Sequence, residues 1–564
     1  MKFKNIKYIA VLGAAVALSS CNDFLDQVPD NRIDPQTPDQ VLLVLTGGYS
    51  GADYTLMCEQ SSDNVVDNHA PDANGTSYPT TVSDPIDDQV FAWEDADKNS
   101  MQDTPTFLWT QNYHAIASAN LMLEKIAEFR ANGQFTTGDD AAKLNAAYGE
   151  ALVMRAYYHF ILVNLFAMQY DANNPNQQGI PYVEVPESKP VIDYQRNTVA
   201  EVYDKIERDL LEGLKYVNDQ YYSDKVKWHF NKAAANAFAA RFYLNKRDYA
   251  KVETYATAAI GDNPAAMLRS DYWNTSFTSL DADASMYYSS SANNNLLLIP
   301  TVSSTFNRIC FGGNRYALNR SALTSTIYSQ GPTWSGNVHP AYSTHLYVNS
   351  QQDWGCWPSW KYRFVQWIDK VAGTGYGMAV RNEFTVEETL LMRAEARIFM
   401  NDLPGAVSDL RIWDESRQVD PENNSYTELT DEVIKAYYSK DAATTAQRDP
   451  RQYILQDLNI EQVCPPAQPE YKYTDDKLPY LWCLLHFRRI ETVLTGMRWF
   501  DIKRYGIEIT HQIGSSRTET LTINDPRRAF QLPIEALSAG IEPTSRENLA
   551  APKVERVVFP DDEK

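Results

Sequence analysis

Ala240-Arg241-Phe242-Tyr243-Leu244-Asn245-Lys246-Arg247-Asp248-Tyr249-Ala250 and Ala396-Arg397-Ile398-Phe399-Met400-Asn401-Asp402-Leu403-Pro404-Gly405-Ala406 carry one pattern twice. Each copy holds Ala-Arg, an aromatic residue, a large apolar residue and Asn in register, and closes on Ala. Each reads as the corner of a helix–turn–helix unit. Asn231 is placed to cap the first helix of one unit, and Thr385 with Glu388 the first helix of the other. Ala239, Ala240, Ala394 and Ala396 are small enough for paired helices to approach closely.

Helical periodicity extends outward from these corners. Trp109, Tyr113, Ile116, Asn120 and Leu123 step by four, three, four and three and line one helix face. Residues 144–168 predict a second helix, apolar nearly all round from Ala156 to Ala167 and therefore deeply buried. Thr198 and Glu201 form a capping box for a third, with Val199, Tyr203, Ile206, Leu210 and Leu214 as its stripe. One last helix is expected over 482–504, with Gly506 as its stop. Two-helix units with small residues at the crossing resemble tetratricopeptide repeats, which make scaffolds and docking surfaces. The expected fold is mostly α: helix pairs over about 105–261, 385–412 and 482–506, with an irregular, loop-rich aromatic lobe inserted.

That lobe covers about 262–380, joined by loops over 59–104. It is rich in Ser, Asn and Gly, and five of the 12 tryptophans fall between 334 and 367. Gly373-Thr374-Gly375-Tyr376-Gly377 within it is expected to be a mobile loop, since the strand and helix of a dinucleotide fold do not flank it. Residues 414–480 form a second polar interruption, and the tail from 515 is expected to be irregular. Loops on a rigid scaffold commonly carry function. Trp354-x-x-Trp357-x-x-Trp360 would align three rings along one side of an extended or three-per-turn segment. Such rings stack on the C–H faces of sugars, or else pin a long loop onto the core. Trp273, Tyr288 and Trp334, with Tyr78 and Trp93 from the early loops, are further candidates for ligand contact.

Charge excludes other classes. The chain carries a formal charge of −22. Nucleic-acid binding needs basic surface, so it is not expected. No His-Glu-x-x-His, Cys/His cluster or Gly-x-Ser-x-Gly elbow is present. No cofactor is indicated. Asp95-x-Asp97-x-Asn99 with Asp103 resembles the start of a calcium loop, but Ser100 and Thr106 stand where that loop needs Gly and Glu. Six cysteines lie at long intervals; Cys310–Cys356 and Cys464–Cys483 are possible bridges, with buried thiols as the alternative.

The N-terminus predicts export. Lys2, Lys4 and Lys7 precede an apolar run from Tyr8 to Leu18, then Ser19-Ser20-Cys21. The stretch resembles the lipobox of bacterial lipoproteins, which implies cleavage after residue 20 and lipidation of Cys21. Losing three lysines and no acids would leave residues 21–564 near −25, so the acyl chains would do the anchoring.

Several stretches in order then resemble the SusD/RagB family of outer-membrane nutrient-binding lipoproteins. They are Trp109-x-x-x-Tyr113-x-x-Ile116-x-x-x-Asn120, Glu150-Ala151-Leu152-x-Met154-Arg155-Ala156-Tyr157-Tyr158, Ile180-Pro181-Tyr182, Leu390-Leu391-Met392-Arg393-Ala394-Glu395-Ala396 and Gly496-Met497-Arg498-Trp499-Phe500-Asp501. Arg488-Arg489 stands where the family has Glu-Arg, and its closing Asn-Pro elements are absent after Leu532-Pro533. The resemblance implies about four tetratricopeptide-like pairs beside a lobe, and a surface lipoprotein that caps a SusC-like TonB-dependent transporter. It implies an oligosaccharide or, in some members, a peptide as ligand, with the ligand face drawn from the early loops and the insertion. It implies no catalysis; a surface glycoside hydrolase is the alternative from another class.

Overall fold

A computed structural model describes residues 34–546 apart from 73–74, 79, 81–82, 97–100, 187–193, 311–312, 336–338, 343–344, 349–354, 359, 361–363, 370–373 and 441–450, with backbone alone for 346–348, 356–357, 364–369 and 374–377. The fold is mostly helical. Cys21 and Trp354 lie outside the described residues.

Helices α1 (Pro38–Gly47), α2 (Thr55–Ser61) and α3 (Pro85–Phe91) precede the long pair α4 (Pro105–Ala131) and α5 (Gly138–Phe166). Thr104 starts α4: its hydroxyl accepts from the Phe107 amide, and Pro105 sits in the first turn, where its missing N–H costs nothing. Every residue of α5 from Gly149 to Phe166 is buried, as its apolar circumference requires. Helix α6 (Val199–Leu214) opens with the expected Thr198–Glu201 capping box. Gly149 and Gly213 set how closely α5 and α6 cross. A Cβ on Gly149 would lie 2.9 Å from the Gly213 carbonyl, and one on Gly213 2.8 Å from the Gly149 carbonyl.

Polar side chains of α4 and α5 hold the segment around Ile180-Pro181-Tyr182. Tyr113 Oη donates to the Pro181 carbonyl at 2.7 Å, and Asn120 Nδ2 to that of Val183 at 3.0 Å. His159 accepts from the Val183 amide at 3.0 Å and stacks on Tyr182 at 3.7 Å. Arg155 pairs with Asp209 at 2.6 Å and donates to Asn120 Oδ1 at 3.0 Å. The Ile180-Pro181-Tyr182 segment is thus strapped across two helices by side chains spaced for one face.

The repeated units are α7 (Lys232–Asn245) with α8 (Tyr249–Ile260), and α9 (Val386–Phe399) with α10 (Leu403–Glu415). Asn231 and Thr385 cap as expected, accepting from Ala234 and Glu388 amides. The register differs from the one the identities suggest. Ala240 aligns with Ala396 in sequence, 156 residues on. The caps Asn231 and Thr385, the positive-φ corners Arg247 and Asn401, and the caps Asp248 and Asp402 are each 154 residues apart. Backbone geometry fixes the repeat through caps and corners, and the shared Ala-Arg falls two positions out of phase.

The insertion is less irregular than expected. Strands β2 (Asn295–Thr301), β6 (Phe364–Asp369) and β7 (Thr374–Thr385) form an antiparallel sheet in the order β2-β7-β6. Thr374 to Gly377 belong to β7, paired with β6, so the expected mobile loop is in fact strand; alternating glycines in a hairpin with β6 left no readable period. Thr385 ends β7 and caps α9, joining sheet to scaffold without a linker. Short ladders pair β1 (Val66–Asp67) with β3 (Tyr316–Ala317), and β4 (Leu346–Val348) with β5 (Cys356–Pro358).

The last helix is two. Helices α12 (Leu478–Glu491) and α13 (Met497–Tyr505) follow α11 (Asp431–Tyr437) and break at Leu494 (φ 60°) and Gly496 (φ 81°). The apolar stripe runs on through the break because both pieces face the same core. Gly506 stops α13 as expected (φ 60°). The tail holds a hairpin of β8 (Ile509–Ile513) and β9 (Arg517–Leu521) where irregular chain was expected.

Buried ion pairs tie these parts. Asp501 accepts from Arg488 at 3.0 and 3.1 Å and from Arg504 at 2.9 Å, while Arg504 also pairs with Glu395. Burial raises the Asp501 carboxyl, but the two guanidiniums outweigh it and hold it below its ordinary pKa. Arg488, which stands where the resemblance expects Glu, is thus held by Asp501, and Arg489 donates to Asn64 Oδ1 at 2.8 Å and the Asp63 carbonyl at 2.7 Å. Cys464 and Cys483 are separate buried thiols, so that bridge is not formed. The side chain of Cys356 lies outside the described residues.

Candidate functional site

Among the described residues an open concave site lies between the early loops and the insertion, and its walls are polar. It is a cleft of about 400 Å³, within the range of ligand pockets, lined by Ser83, Asp84, Pro85, Asp87, Arg308, Asn314, Arg315 and Tyr316.

Its first wall is the start of α3. Asp84 caps the helix, its Oδ1 accepting from the Ile86 amide at 3.1 Å, and Pro85 takes the first turn. This turn presents Asp87 and Asp88 to the opposite wall. That wall comes from a π-helical turn, Phe306–Cys310, and from the residues entering β3. Arg308 binds Asp87 through Nε at 3.1 Å and through Nη2. Arg315 forks onto Asp67 (3.1 and 2.9 Å) and reaches Asp88 through Nη1 at 3.1 Å. Tyr316 Oη donates to Asp88 at 2.7 Å, and its ring stacks on Phe91 at 4.5 Å. Burial pushes the Asp87 carboxyl up against the opposing pull of Arg308 and Gln60. Burial likewise raises the Tyr316 phenol well above its ordinary value, helped by its hydrogen bond to Asp88.

Asp103 fixes the second wall from behind. Its Oδ2 accepts from the Ser304 amide and hydroxyl, both at 2.7 Å, just before the turn that carries Arg308. Burial, with Asp53 nearby, pushes the Asp103 carboxyl up to about 6.

The aromatic residues expected at a ligand face sit elsewhere. Trp273 and Trp360 meet edge to face at 5.8 Å, and both pack on Tyr342, at 4.6 and 5.0 Å. Trp334 donates to the Ser329 carbonyl at 3.0 Å beside His339. Tyr288 is buried against Tyr287. Trp93 donates to the Ser61 carbonyl at 2.9 Å and stacks on His511 at 4.1 Å. All five rings are buried; Trp273, Trp334 and Trp360 pin loops to the core, while Tyr288 borders a small cavity beside Asp53 and Arg381, and Trp93 one beside Arg527 and Arg546. Trp357 lies in β5, but its side chain is outside the described residues, as is Trp354. Tyr78 is half-buried, its amide donating to the Asn68 carbonyl at 2.7 Å; the Asn68 amide in turn donates to the Arg315 carbonyl at 2.7 Å, so Tyr78 borders the cleft's support.

The calcium candidates diverge. Asp95 pairs with Arg546 at 2.8 Å and Asp103 with Ser304, while Asp97 and Asn99 lie outside the described residues. Among the described residues no group of three His, Cys, Asp or Glu could hold a metal ion, and no helix is long and apolar enough to cross a membrane.

The cleft lies where the resemblance draws a ligand face, between the early loops and the insertion, but none of Arg308, Arg315, Asp84, Asp87 and Asp88 was a sequence candidate. Asp87 and Arg308 are 221 residues apart, so no spacing connects them. The only local signal was Asp84-Pro85, a helix start inside a stretch expected to be loop.

Chemically, the cleft alternates guanidinium donors with carboxylate acceptors over one aromatic ring. Hydroxyl-rich ligands can use both.

Comparison with known proteins bears on what enters it. A family described as "Starch-binding associating with outer membrane", SusD-like, matches residues 23–244. SusD-like protein P2 of Formosa agariphila is 26% identical over 163 residues; the match spans 28% of this chain and 28% of that protein. A SusD superfamily protein of Bacteroides thetaiotaomicron superposes with a TM-score of 0.58 at 17% identity, covering 90% of this chain and all of the other. A laminarin-binding SusD-like protein superposes with a TM-score of 0.51 at 14% identity, covering 90% of this chain and 97% of that one. At these identities the superpositions show the fold.

Proposed function

We propose, from the SusD-like family match over residues 23–244 and the cleft described above, that this is a SusD-like protein that binds a carbohydrate in the cleft between α3 and the Phe306–Tyr316 segment and passes it to a TonB-dependent outer-membrane transporter. The observation that carries the binding reading is the cleft itself: about 400 Å³, walled by paired Arg and Asp side chains at the junction of the early loops and the insertion. Fixed donors and acceptors beside an aromatic ring suit hydroxyl recognition. The laminarin-binding relative supports a glycan as ligand.

In this reading Cys21 carries the lipid, the protein is anchored at the outer membrane, and it acts as a lid on a SusC-like partner. A tether keeps lid and channel at high effective concentration while the lid opens. Binding proceeds without cleavage. A glycosidase needs one carboxylic acid and one carboxylate facing across the scissile bond. Here Arg315 holds Asp67 and Asp88, and Arg308 holds Asp87, so these acids serve the walls.

Ser83→Trp tests the site. Ser83 is exposed at the cleft mouth, and an indole there fills the opening without breaking an Arg–Asp pair. Calorimetric titration with glycan oligomers should show binding to the wild type and at least about tenfold loss in the variant. Undiminished binding in Ser83→Trp would move the ligand elsewhere. For the partner, detergent extraction through a tag on this chain should bring down a large outer-membrane barrel; consistent recovery of the lone chain would sink the lid role.

A further inference from the structure

The cleft's charge is uneven. Two carboxylates, Asp84 and Asp87, and two guanidiniums, Arg308 and Arg315, line the cleft, and two further carboxylates, Asp67 and Asp88, back Arg315, so acids outnumber guanidiniums in the cluster. Both guanidiniums are already engaged by acids. Arg315 uses Nε and Nη2 on Asp67 and Nη1 on Asp88. Arg308 uses Nε and Nη2 on Asp87. Recognition of a carboxylate or sulfate by arginine relies on two parallel N–H groups. Arg315 spends all three of its nitrogens on acids, and the Nη1–Nη2 edge that Arg308 keeps has the Asp84 carboxylate beside it, with Oδ2 3.9 Å from Nη2.

What remains is one donor edge and one acceptor edge. Arg308 Nη1 is not used in the Asp87 pair. Asp84 Oδ2 lies 3.9 Å from Arg308 Nη2, and the Asp84 side chain is 49% exposed while its Oδ1 is held by the Ile86 amide. A hydroxyl both donates and accepts. Two neighbouring sugar hydroxyls can therefore satisfy Arg308 and Asp84 together. A uronate or sulfate offers acceptors only, and its charge meets Asp84. The formal charge of −22 adds long-range repulsion of polyanions.

We infer that the cleft selects uncharged, hydroxyl-rich glycans and turns away uronated or sulfated ones. This rests on the glycan-binding reading of the same cleft. Asp84 is the specificity-determining residue, with Arg308 as its donor partner.

The test is calorimetric titration of the whole chain, in buffer with a chelator, at low and high salt. The probes are neutral oligomers (β-1,3-glucan, α-1,4-glucan, β-mannan) and length-matched oligogalacturonate, oligoalginate and sulfated galactan. At least one neutral probe should bind with little salt dependence, and every anionic probe at least about tenfold more weakly. Asp84→Asn keeps the helix cap and should narrow the neutral-to-anionic gap at least about threefold. An anionic probe that binds tighter than every neutral one, with affinity falling as salt rises, overturns the inference and leaves glycan binding standing. An Asp84→Asn gap equal to the wild type's removes Asp84 from the selection and overturns it too. Failure of all neutral and anionic probes overturns the glycan reading and the inference with it.

Discussion

Arg–carboxylate pairs build both the helical scaffold and the cleft, and the two sets end differently. On α9, Arg393 is wholly enclosed. It forks onto Asp409 at 2.9 and 2.8 Å and donates to the Gly261 carbonyl at 2.7 Å. In the cleft, Arg308 is 17% exposed, and its neighbour Asp84 keeps an oxygen toward solvent. Burial decides which role a pair takes. An enclosed pair must satisfy its polar atoms within the protein. A pair at a concave surface leaves edges that a ligand can use.

That contrast can be broken at its strongest point first. Asp501→Ala removes the acid shared by Arg488 and Arg504 and leaves two buried guanidiniums short of a partner. Urea unfolding should show a loss of about 3–5 kcal/mol. A loss below about 1 kcal/mol would mean that the scaffold's pairs matter no more than surface ones.

Asp103 stands between the two regions, a buried carboxylate that supports the cleft wall. Its folded pKa of about 6 lies above the ordinary carboxylate value, so the folded state binds the extra proton. Its contribution to stability is present at low pH and is lost as pH rises through about 6. Asp103→Asn removes this dependence. Relative to wild type it should gain up to about 3 kcal/mol between pH 4 and pH 7. A difference that stays flat with pH would show that Asp103 stays ionised in the fold.

Gly496→Ala sharpens the scaffold side. A Cβ there would face Cys58 Cβ at 3.0 Å and the Tyr54 ring at 3.1 Å, on a backbone at φ 81°. Thermal unfolding should report a cost of about 1–3 kcal/mol, because this turn separates α12 from α13. Ser83→Trp is the smallest perturbation, expected to change stability by about 0.5 kcal/mol or less while weakening ligand binding at least about tenfold. A large loss of stability there would mean that the cleft is packed like the scaffold.

How much was legible follows the same division. The capping box at Thr198, the caps Asn231 and Thr385, the buried circumference of α5 and the Gly506 stop depend on residues within a few positions of one another. Each could be read directly. The split between α12 and α13 could not, because a continuous apolar stripe hides a backbone reversal at Leu494 and Gly496. The tryptophans were conspicuous by type, but a ring that stacks on a ligand and a ring that closes a core share a composition. Only their contacts separate Trp273 and Trp360, packed on Tyr342, from a ligand shelf.

By itself the sequence determined the helical class, the paired units and the surplus of acid. These are properties of period, local capping and composition. Tertiary structure alone decided the 154-residue register of the repeat, the strand made from Thr374 to Gly377, and the pairing of Asp87 with Arg308 and of Asp67 and Asp88 with Arg315. Those contacts join residues as much as 248 positions apart. Chain spacing carries no information about them until the core has closed and brought the two walls together.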